Sequence, residues 1–179
     1  GSAGGIQKKW LLINRILNVF AVEPIKSSLD QSHINNLNSK IIINSVFSSK
    51  ENVIKKLYIA NKNDVSSILK PNFEHLNKFL DPNRYEILKE EEFSTTSINS
   101  YFKKIKVDFI KIDTEGYALE ILKGADKNFD TILGFEVETE FFKLRKNQPL
   151  FHEIYEYLNG YGFEFIDFIN IIRWERNNF

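Results

Sequence analysis

One stretch limits what this chain can fold into more than any other: residues 107–125, VDFIKIDTEGYALEILKGA. Its first half is a short, mostly apolar run that ends in two acids and a glycine, and its second half spaces Leu119, Ile121, Leu122 and Ala125 for one side of a helix. The pattern predicts a strand, a tight turn and a helix. A strand apolar on both faces belongs inside a parallel sheet covered by helices, so this unit is expected near the middle of an α/β domain. Ligands of such sheets bind beyond the carboxyl ends of the strands, where Asp113 and Glu115 stand.

The remaining segments alternate in the same way. Gly1-Ser2-Ala3-Gly4-Gly5 is a glycine-rich turn feeding a helical pattern over residues 6–17, one way to cradle a phosphate or bring backbone close to a cofactor. Residues 18–24 form an apolar strand closed by Glu23 and stopped by Pro24. Glu23 lies about twenty residues after the glycines, the distance at which an acid meets a ribose hydroxyl in nucleotide-binding βαβ units. Residues 27–37 are expected to be helical, and residues 40–47 and 52–60 to be two strands of a hairpin. A short helix is expected over 73–80 and an extended segment over 84–96, with the charged run 89–92 as a solvated edge. A helix capped by Ser97 follows over 97–104. Residues 131–138 read as a strand ending in acids, 150–158 as a helix stopped by Gly160-Tyr161-Gly162, and 163–168 and 171–174 as two final strands.

With 179 residues, 42% of them hydrophobic and 27% charged, the chain is long enough for one domain with a real core, and we expect a single domain over 1–179. Lys+Arg and Asp+Glu both number 24, which gives no whole-molecule attraction to nucleic acid or to an anionic membrane. The absence of cysteine removes disulfides, thiolate nucleophiles and cysteine zinc sites, and is compatible with the cytoplasm. No run approaches the roughly 18 apolar residues of a membrane span, and no signal peptide is evident. A soluble, cytoplasmic protein is expected. Because methionine is missing even at position 1, the chain is expected to be truncated at its amino end.

The segment Asp108-Phe109-Ile110-Lys111-Ile112-Asp113-Thr114-Glu115-Gly116, with Glu120 and Leu122-Lys123-Gly124-Ala125 behind it, resembles the signature of FkbM-family methyltransferases, which are similar to class I S-adenosylmethionine enzymes. The glycine-rich opening, Val22-Glu23-Pro24, Ser66-Ser67-Ile68-Leu69, residues 132–138 and Gln148-Pro149-Leu150-Phe151 continue the likeness in order over nearly the whole chain. The resemblance implies a Rossmann-like, mostly parallel sheet with helices on both faces and S-adenosylmethionine as cofactor. It also implies O-methylation of a hydroxyl on a sugar, glycolipid or natural product, so that the partner is a small-molecule or glycan acceptor. In that family a central first strand precedes the glycine loop, and this chain begins at the loop itself. The strand that lies between those ending at Glu23 and at Asp113 is missing.

Methyl transfer from a sulfonium to a hydroxyl is an in-line displacement that also requires removal of the hydroxyl proton. Asp113 and Glu115 are the candidate catalytic residues, as base or substrate anchor; the bland alternative makes Asp113 a helix cap and Glu115 a neutraliser of the helix dipole. Gly1, Ser2, Ala3, Gly4, Gly5, Glu23, Pro24 and Asp113 are the candidate cofactor contacts. Lys111 shares a strand face with Asp113 and is expected to form a structural ion pair with Glu136 or Glu138. Asp113, Glu115, Glu136, Glu138 and Glu140 could gather around Mg²⁺, but no fixed ligand spacing supports a metal, and His33, His75 and His152 lack zinc spacing. Two other functions remain open. One is a nucleotide-cofactor oxidoreductase, although the glycines do not form G-x-G-x-x-G. The other is a non-catalytic binding or assembly domain that keeps the fold.

Overall fold

A computed structural model of the chain describes residues 7–25 and 37–177. The glycine-rich opening, Gly1 to Gly5, and nearly all of the helix expected over 27–37 lie outside these residues. The described chain is a mixed α/β structure. Its strands are β1 (Asn18–Val22), β2 (Ser39–Ile43), β3 (Val46–Phe47), β4 (Ile54–Ala60), β5 (Ile87–Thr96), β6 (Phe109–Ile112) and β7 (Gly134–Val137). Four short α-helices accompany them: α1 (Phe73–Leu76), α2 (Ile98–Tyr101), α3 (Ala118–Lys123) and α4 (Phe151–Asn159).

The strands form three small sheets among the described residues. β1 pairs with β2 in parallel, β6 pairs with β7 in parallel, and β5 lies between β3 and β4. The first two sheets are built from apolar, β-branched runs that suit parallel pairing. Each is two-stranded, so both of its outer edges are unpaired among the described residues. β6 is also less enclosed than a strand apolar on both faces should be, because Phe109 and Lys111 are exposed and only Ile112 is buried.

Around α3 the periodicity of the sequence becomes a core. Ala118, Ile121, Leu122 and Ala125 are all buried, at the i, i+3, i+4, i+7 spacing of one helical face, and they pack with Phe47, Ile98, Phe102, Ile112, Phe129, Ile132 and Ile154. Leu119 packs at the edge of this cluster. Gly124 ends the helix against backbone. A Cβ there would stand 2.2 Å from the Ser48 carbonyl oxygen, so only glycine allows this approach. Ser97 caps α2 as expected, its hydroxyl accepting the Ser100 amide at 3.1 Å.

Three expectations are corrected. The segment over 6–17 is not an α-helix but a pair of 3-10 turns, Lys8–Ile16, joined across non-helical Ile13 (φ −122°). Residues 40–47 and 52–60 do not form a hairpin. β4 pairs antiparallel with β5, where Lys56 meets Glu90 at 2.8 Å, and β3 pairs with β5 in parallel. Alternating apolar residues mark a strand but do not name its partner, and here the complementary charges of β4 and β5 match. Residues 163–174 contain no strand. Ile166, Ile171 and Ile172 stay exposed, and the only pairing nearby is an isolated bridge from Phe79 to Arg176.

Candidate functional site

The unpaired edges of β1 and β6 border one cavity of about 860 Å³. Residues 18–24 line one side and residues 107–115 the other, so the void runs along both strands and reaches their carboxyl ends. Glu23, Asp113, Thr114 and Glu115 stand at that end, while Asn18, Lys106 and Asp108 line the cavity at the amino ends of the same strands. Glu23 is buried; its carboxylate accepts the Ile25 amide at 3.1 Å, and Asn44 donates to the Glu23 and Pro24 carbonyls at 3.1 and 2.7 Å. Glu23, Pro24 and Asp113 thus border one cavity.

The turn after β6 is held from several sides. Gly116 adopts φ +93°, and a Cβ on it would come within 2.9 Å of the Gln148 side chain. Glu115 also lies in the left-handed region, at φ +54°, where a residue with a Cβ is strained by roughly 1–3 kcal/mol. Three contacts hold it there. Its carboxylate takes a 2.5 Å ion pair from Arg145, its carbonyl accepts the Ser67 hydroxyl at 2.8 Å, and its amide donates to Glu138 at 3.1 Å. Arg145 is almost wholly buried, and the same nitrogen donates to the Val65 carbonyl at 2.7 Å. Gln148, also buried, accepts the Arg145 amide at 2.9 Å.

Lys111 does not pair with Glu136 or Glu138. Its ammonium reaches Asp113 at 2.6 Å, two residues along the same strand face, while Glu136 is engaged by Gln7 and Lys9. The reason is proximity: same-face neighbours on one strand need no particular register, whereas Glu136 is already taken by Gln7 and Lys9. Nor does Asp113 cap the next helix, since the N-cap of α3 is Tyr117 and no side chain caps it. Glu115 is committed to Arg145, a structural role different from the dipole neutralisation expected of it.

Asp113, Glu115 and Glu138 bring carboxylate oxygens within 4.8 Å of one another. Burial pushes Glu138 up to about 7, with the charges of Glu115 and Asp113 adding to the effect. Burial and the Glu138 charge likewise raise Glu140 to about 7. Glu115 is raised by burial against the opposing pull of Arg145. For Asp113, burial alone would raise the carboxyl, but the hydrogen bond and charge of Lys111 outweigh it and hold the group below its ordinary value. The three oxygens are close enough to serve one cation, but Lys111 and Arg145 already supply two positive charges to them.

Sequence reasoning placed Asp113 and Glu115 together and missed Arg145 altogether. Its partner is 30 positions away, and an arginine between Leu144 and Lys146 looks like any surface cation. The Ser66-Ser67 and Gln148-Pro149 segments carried the resemblance without a stated role; both turn out to brace the turn at Glu115 and Gly116. No helix among the described residues is long and apolar enough to cross a membrane.

No curated protein and no solved structure matches the chain. The family model described as the methyltransferase FkbM domain matches residues 12–165, a span that runs from the segment before β1 through α4. Both walls of the cavity, the braced turn and the acidic cluster fall inside that span, and the chain belongs to the FkbM methyltransferase domain family.

Proposed function

We propose that this methyltransferase domain uses S-adenosylmethionine to methylate a hydroxyl on a sugar, glycolipid or natural product in the cytoplasm. The observation that carries the reading is the cavity between β1 and β6, with Glu23 at one strand end and Asp113 and Glu115 at the other. In this reading the β2–β1 and β6–β7 pairs belong to one Rossmann-like parallel sheet, on either side of the cavity. Gly1 to Gly5 approach the methionine end of the cofactor, and Glu23 accepts the ribose hydroxyls. Asp113 carries the acceptor-side chemistry, with Glu115 helping to orient the substrate or the cofactor amine.

Calorimetric titration tests the cofactor. Binding of S-adenosylmethionine supports the proposal, nicotinamide dinucleotide binding turns it into an oxidoreductase, and binding of neither favours an assembly domain. Asp113→Asn should lower kcat by roughly 10² to 10⁴ and leave cofactor affinity nearly intact. Since Asp113 makes no helix cap, full activity in that variant removes it from the chemistry.

A further inference from the structure

A second cavity, of about 700 Å³, is lined by α4, the loop after β7 and the segment that follows α4. Phe151, Tyr155 and Asn159 stand four residues apart on the helix and share the face that lines it. The Phe151 amide donates to the Glu140 carbonyl at 2.9 Å, which brings Phe141 onto the first turn of α4. Phe165 and Phe168 come from the segment after the helix. Phe151 is the hub: its ring lies 5.3 Å from Phe141, 5.4 Å from Phe168, 5.5 Å from Phe165 and 6.0 Å from Tyr155. The four outer rings are exposed, Phe141 by 65%. The one charged side chain of the lining is Glu164, whose carboxylate has no hydrogen bond or ion pair among the described residues.

We propose that this groove binds a small organic cation with an alkylated nitrogen, of the quaternary ammonium class. The faces of aromatic rings carry negative potential and attract a cation that sheds its water easily. Glu164 supplies the opposite charge, and no lysine or arginine lines the groove to compete for it. The shortage of acceptors selects the kind of cation. Asn159, Glu164 and the Tyr155 hydroxyl are the only polar side-chain groups of the lining, so a primary ammonium or a guanidinium would leave N–H groups unpaired over the rings. A quaternary nitrogen has none to satisfy. A hexose fails on the same ground, because it brings more hydroxyls than the lining has partners. A neutral apolar ligand fails for the opposite reason, since it would cover Glu164 and leave the charge uncompensated. The volume lies within the roughly 300–1,000 Å³ of small-molecule sites. No residue of the cavity between β1 and β6 lines this groove, so the inference is independent of the methyl-transfer reading.

Calorimetric titration of the whole chain with three probes tests the assignment: choline, its uncharged isostere in which carbon replaces the nitrogen, and glucose. Choline should bind, and the other two should bind at least roughly tenfold more weakly. Phe141→Ala and Glu164→Gln should each weaken choline binding roughly threefold to tenfold. Both side chains are exposed, so both variants should keep the fold, which circular dichroism checks. The comparison of choline with its isostere needs no variant. No choline binding at millimolar concentration overturns the proposal. Equal or tighter binding of the isostere does so too, because the groove is then merely apolar, and equal or tighter binding of glucose makes it a sugar platform instead. Choline affinity that is unchanged in either variant also overturns it, since the cation then sits elsewhere.

Discussion

Glu115 is held in a backbone conformation that suits glycine, and it stays there because Arg145, Ser67 and Glu138 each fix a different atom of it. Such strain persists only where the surroundings over-determine it. Removing one partner of a buried ion pair costs about 3–5 kcal/mol, because the other is left uncompensated. Arg145→Met should therefore destabilise the protein by about that amount in urea unfolding, and adding Glu115→Gln should recover part of the loss; additive effects of the two changes would mean the pair is not coupled. Glu138 makes the opposite prediction. Its folded value near 7 lies above its ordinary 4.5, so the folded state binds the proton more tightly than the unfolded chain does. Stability is then fully present below about 4.5 and is lost as the pH rises through 7. Glu138→Gln should leave unfolding near pH 5 almost unchanged and raise stability at pH 8 by roughly 1–3 kcal/mol. At this scale the sequence showed which acids stand at the end of β6, since strand, turn and helix mark the place. It could not show their partners, because a salt bridge across 30 positions leaves no local trace.

The elements divide in a similar way. β6, the turn and α3 were legible because three signals agree there: an apolar run, a glycine needed for the turn, and helical spacing behind it. β1, β7 and α4 were legible from their apolar patterns alone. Pairing was not legible. Residues 52–60 look like one arm of a hairpin until the charges of β5 are set beside them, and the isoleucines of 163–172 carry strand propensity without a partner edge to satisfy. One glycine has a role that belongs to its whole element. Gly124 lets the end of α3 press on the Ser48 backbone, and its own carbonyl accepts the Asn99 amide at 2.8 Å. A methyl group at 2.2 Å from a carbonyl oxygen cannot be absorbed by turning a side chain, so backbone must move. Gly124→Ala should cost several kcal/mol, on the scale of about 1–3 for overpacking and more where main chain is displaced, and thermal melting would detect it. An unchanged melting temperature would show that α3 can withdraw from Ser48 freely.

At the scale of the molecule, the β1–β2 and β6–β7 sheets face each other across a cavity with one bare edge apiece. Rows of amides and carbonyls on such edges are templates for another strand. Anything that binds them in the folded state and not in the unfolded chain shifts the folding equilibrium by mass action, by about 2.7 kcal/mol at a hundred times its dissociation constant. With such a binder present, the melting temperature of this domain becomes a property of the solution as well as of the sequence. If copies of the chain satisfy one another's edges, a tenfold increase in protein concentration raises that temperature; if they do not, it stays fixed. In the first case stability behaves less like a constant than like a binding curve, with the open edges as the binding site.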